Sequence, residues 1–167
     1  MFSFLKKQPS EATIQWLIEC LSPDLRVAER LLSVLEIPHS PHAVFEAGIL
    51  QLFQSSQAVA MGTRDERLRN QIQSKLCETF IEKFSDIAEQ KGLSREEALR
   101  TTLQRYRMYK SILGDMTDDQ FLAKLAEAAA SALTGKPQDE IPLAVFGLVT
   151  WLGNTTLEIA KIVKSKL

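Results

Sequence analysis

Apolar residues recur along most of this chain at spacings of three and four, the repeat of one face of an α-helix. No stretch alternates in the two-residue manner of a half-buried strand. Seven helices are predicted, with starts and stops read from caps and breakers. The first, about 10–21, places Ile14, Leu17, Ile18 and Leu21 on one face. The second, about 23–36, does the same with Ala28, Leu31, Leu32 and Leu35, and the third, about 41–60, with Phe45, Ile49, Leu52 and Phe53. The fourth is long, about 64–91, and carries Leu68, Ile72, Leu76, Phe80, Phe84 and Ile87. The fifth, about 95–113, aligns Leu99, Leu103, Tyr106 and Leu113, and the sixth, about 118–134, aligns Phe121, Leu122, Leu125 and Leu133.

Local signals mark these boundaries. Ser22-Pro23 and Ser40-Pro41 each place a serine before a first-turn proline, whose missing N–H costs nothing there. Thr63 to Glu66, Ser94 to Glu97 and Thr117 to Gln120 fit the capping box, in which a hydroxyl and a carboxylate or amide satisfy each other's backbone N–H groups. Gly92, Gly114 and Gly135 suit helix stops, and Pro137 prevents resumption. The connections are short, which favours antiparallel neighbours.

The seventh helix begins in residues 141–157, a stretch without charge. Its dense apolar part ends at Leu152, short of the roughly 20 residues that a membrane span needs. Val145, Val149, Leu152, Thr156, Ile159 and Val163 form one stripe, Leu148, Trp151 and Ile162 widen it, and Thr150, Asn154, Glu158 and Lys161 lie opposite. This is the pattern of a core helix with one wet edge. The fold class expected is all-α: a single compact bundle of about seven helices with the long fourth helix and the C-terminal helix central. Residues 1–9 form a short N-terminal amphipathic segment and 10–167 one helical domain.

Composition changes this picture little. At 167 residues with 45% apolar side chains the chain suffices for a core without disulfides or metal. Twenty basic and 21 acidic residues leave a net charge of −1, against a nucleic-acid binder that relies on bulk charge. Only the middle third is slightly basic. Cys20 and Cys77 form no CxxC and read as reduced, buried thiols in helical apolar patterns. With no signal peptide recognised, a cytoplasmic location is expected.

Candidate chemistry is sparse. His39 and His42 straddle a helix start, read as a joint, and no further ligand motif accompanies them, so neither a metal nor a cofactor is expected. Asp115, Asp118 and Asp119 do not follow the calcium-loop spacing and suit a helix N-terminus instead. No GxSxG, GxxxxGK[ST] or GxGxxG motif occurs, which argues against an enzyme. The one aromatic-interleaved basic stretch, 100–110, offers Arg100, Arg105, Arg107 and Lys110 to an anionic ligand or an acidic partner. Lys110 falls oddly near the centre of the apolar stripe. Met1, Phe2, Phe4 and Leu5 ahead of Lys6 and Lys7 form a toe for packing or peripheral membrane contact through residues 1–7. Phe2, Phe4 and Trp16 are surplus aromatics for self-association. The expected function is therefore a non-enzymatic protein-interaction or regulatory module that meets a protein partner or itself, as in a homodimer. The alternative is a carrier or sensor of a small apolar or anionic ligand held between helices.

Overall fold

A computed structural model describes residues 9–114, 118–137, 140 and 142–167; of these, side chains at 113, 114, 118, 119, 121, 142–144 and 146 are not described. The fold is all-α, with no strand among the described residues. The helices are α1 (Glu11–Leu21), α2 (Leu25–Val34), α3 (Pro41–Gly62), α4 (Glu66–Lys83), α5 (Ser85–Gln90), α6 (Arg95–Gly114), α7 (Asp118–Thr134) and α8 (Pro142–Lys166). The expected fourth helix is two pieces. At Phe84 the backbone departs from helical values (φ −104°, ψ 12°), and the Ser85 hydroxyl donates to the Glu82 carbonyl, which competes with continuation.

The centre of the bundle is α3, rather than the fourth helix, with α8 laid along it. Sixteen of the 22 residues of α3 are buried, on every side of the helix. Such a helix is covered by neighbours all round. Gly48 makes this coverage close: a Cβ there would run into the rings of Phe84 and Phe80. Gly62 does the same for α8, where a Cβ would collide with Val163. Around this axis Phe45, Phe80 and Phe84 stack in tilted pairs, and Phe53 meets Tyr106 and Tyr109.

α8 keeps the stripe its sequence forecasts. Leu148, Leu152 and Val163 are fully buried, and Thr150, Asn154, Glu158 and Lys161 are exposed. Ile162, read as part of the apolar side, is exposed instead. Among the described residues no helix is long and apolar enough to cross a membrane.

The caps divide. Ser40 accepts from the Ala43 N–H, and Ser94 and Glu97 exchange bonds as a capping box should. At the other two sites the cap lies two residues later. Asp24, not Ser22, caps α2 by accepting from Arg26 and Val27, while Ser22 closes α1 by bonding the Ile18 carbonyl. Asp65, not Thr63, caps α4 through the Leu68 N–H. A carboxylate is the stronger acceptor at a positive helix end. The Thr117 box lies outside the described residues.

Candidate functional site

The polar residues of α3 explain how the other helices are held. Gln51 grips the start of α2, accepting from the Asp24 N–H at 3.0 Å and donating to the Asp24 carbonyl. Ser55 donates to the Leu21 carbonyl at the end of α1, and Gln54 donates to Thr156 of α8. Gln73 of α4 donates to the Ser56 carbonyl. Each bond satisfies a buried group that would otherwise carry a desolvation cost. Among the described residues no buried side-chain nitrogen or oxygen lacks a partner.

Glu46 is the one charge on this helix and is 1% exposed. Two cations meet it. Arg105 of α6 places Nε 3.1 Å from Oε2 and Nη2 3.5 Å from Oε1. Lys91, at the end of α5, stands 3.6 Å from Oε1 and lies over the Phe45 ring. The cluster ties the α5–α6 corner to the bundle axis. Glu46 went unnoticed in the sequence reading, although the signal was present: it is the sole charged residue between 37 and 63.

The basic stretch is thereby split. Arg105 turns inward to Glu46, while Arg100, Arg107 and Lys110 are exposed. Lys110 sits on a stripe because the stripe itself is open. Leu99 is 40% exposed and Leu103 43%, so the face expected to be core is a rim. The buried face of α6 is rotated from it and consists of Ala98, Thr102 and Tyr109, with Arg105 at its edge.

What runs beside that rim is a groove between α4–α5 and α6. One hollow, of about 280 Å³, is lined by Ile81, Ser85, Ala88 and Ala98, with Glu82 and Glu89 at its wall. A second of about 280 Å³ lies further along, between Ser74 and Cys77 on α4 and Thr102, Leu103 and Tyr106 on α6, floored by Leu52 and Ser56 of α3. The lining residues run in opposite directions along the two helices, so α4 and α6 are antiparallel here. Small side chains facing one another keep the helices from filling the space. Burial pushes the Cys77 thiol up, with Glu78 adding to the effect, so this thiol is a poor nucleophile at neutral pH. Burial also pushes the Tyr106 phenol up, partly opposed by Ser56 and Gln57 beside it.

The other sequence candidates do not converge. His42 bonds the Ala132 carbonyl at 2.8 Å, joining the start of α3 to the last turn of α7. His39 pairs with Ser33 at 2.9 Å. Both histidines therefore serve the joint. Trp16 is exposed, with the Lys166 ammonium over its ring. Cys20 is exposed, unlike the buried thiol expected of it. Phe2, Phe4, Asp115 and residues 1–7 as a whole lie outside the described residues, as do the side chains of Asp118 and Asp119. Among the described residues no three His, Cys, Asp or Glu side chains are grouped to hold a metal ion.

Comparison with known protein families, with curated proteins and with solved structures finds no match for this chain.

Proposed function

We propose that this chain is a non-enzymatic protein-interaction module whose recognition surface is the α4–α6 groove. The observation that carries the reading is the pair Leu99 and Leu103. They stand one turn apart on α6, each about 40% exposed, and Leu103 lines an apolar hollow. Exposed leucines scattered singly need no explanation, but two stacked one turn apart, one of them lining a hollow, do. Helix-in-groove and groove-on-helix contacts use anchors at this spacing.

Charge supports the same surface. Arg100 and Arg107 flank the leucines on the solvent side and Lys110 extends their row. Rim charges of this kind set partner choice and association rate more than affinity. The carrier reading draws less support. Its ligand needs enclosure over most of its surface, whereas both hollows are open along one side.

A photo-crosslinking side chain placed at position 103 tests this in cells, with position 30 on the exposed face of α2 as control. A discrete heavier species from position 103 alone is expected. Equal labelling from both positions, or none from 103, overturns the reading.

A further inference from the structure

Along its length the groove changes sign. At one end Glu82 and Glu89, both exposed, form the α4–α5 wall. At the other end, past Tyr106, α6 presents Arg107 and Lys110, both exposed and neither ion-paired among the described residues. Arg95 at the acidic end and the Lys75–Glu78 pair temper this polarity without reversing it. Between the two ends lie Leu99, Leu103, Ile81 and Cys77.

A surface that is acidic at one end, apolar in the middle and basic at the other is complementary to itself after a half-turn. We infer that the groove is an isologous docking surface for a second copy of this chain. The two-fold axis passes through the apolar middle. Leu99 and Leu103 of each protomer enter the hollow of the other, and each Glu82–Glu89 end lies over the partner's Arg107–Lys110 end. A two-fold interface uses one patch twice, so both requirements fall on the same few side chains. The apolar middle supplies affinity and the opposed ends fix direction, since a parallel arrangement would stack like charges. This inference rests on the groove being the recognition surface and names its partner.

Sedimentation equilibrium on the full chain tests it. The parent should dimerise, Leu103→Asp should be monomeric, and all variants should keep the parent's helical circular dichroism, because every altered side chain is exposed. The decisive comparison uses two charge-reversed variants, Glu82→Lys/Glu89→Lys and Arg107→Glu/Lys110→Glu. Each alone should be monomeric, because its like-charged ends face each other. Mixed in equal amounts they should restore a heterodimer, as both ends are then complementary. A parent that stays monomeric over a roughly hundredfold concentration range overturns self-docking. So do folded variants that fail to pair on mixing, and so does a dimer that survives both reversals and Leu103→Asp. The wider reading fails separately, if position 103 crosslinks to nothing. A crosslink at 103 to a different protein, beside a monomeric parent, removes only the second copy as occupant.

Discussion

Two helices of nearly equal length make opposite use of their apolar residues. In α3, 22 residues long, leucines, phenylalanines and even a glutamate are enclosed. In α6, 20 residues long, two leucines face water while an arginine reaches the interior. The difference teaches that a central helix must be sparing of charge and also approachable on every side: α3 carries one charged residue and α6 seven. α3 has Gly48 and Gly62 where other helices come closest, and polar side chains that complete the ends of α1 and α2. α6 is anchored along one edge, by Tyr109, Thr102 and the Arg105–Glu46 pair, and its other edge is left open.

The contrast is broken most forcefully by truncating the same residue type in each helix. Leu50→Ala in α3 removes a side chain with no exposed surface and should cost about 2–5 kcal/mol, read from the urea midpoint at constant slope. The anchor comes next. Glu46→Ala strands Arg105 and Lys91, which are 34% and 18% exposed and so regain some water; a loss of about 2 kcal/mol is expected by chemical denaturation. Leu103→Ala should change monomer stability by only about 0.5 kcal/mol, measured at a concentration low enough to exclude association. A cost as large as that of Leu50→Ala would mean that the groove is closed in solution.

A smaller effect sharpens the picture of the α6 anchor. Burial raises the Tyr109 phenol well above its ordinary value of 10.0, with the Glu46 carboxylate adding to the shift. A folded-state value raised above the unfolded one gives stability that is full below the unfolded value and lost as pH rises past it. Denaturation midpoints should therefore fall as pH climbs beyond about 10, and Tyr109→Phe should flatten that fall.

Much of the fold was legible because it rests on local physics. The 3.6-residue repeat located every helix, with α4 and α5 read as one, and the stripe of α8 was read almost residue by residue. Ser40 and Ser94 were legible as caps because no aspartate follows them two residues later. Ser22 and Thr63 misled because an aspartate stands two residues later in each case. The split at Phe84 was hidden, since the apolar repeat runs unbroken through it. The site was harder. A helical stripe is visible in sequence whether or not anything covers it, so Leu99 and Leu103 looked like core. Lys110 within that stripe was the warning. Arg105 was grouped with its basic neighbours because its partner, Glu46, lies 59 residues away on another helix.

The pairing of α3 with α8 has a consequence for how the chain reaches this state. The helix that forms the axis is complete by residue 62, while its longest companion begins at residue 142. During vectorial synthesis the side of α3 that α8 covers must wait through some eighty residues of translation. Closing so distant a contact is slow compared with forming the helices themselves. A ribosome-stalled chain ending before residue 142 should therefore be protease-sensitive throughout, and resistance should arrive in one step once α8 clears the exit tunnel.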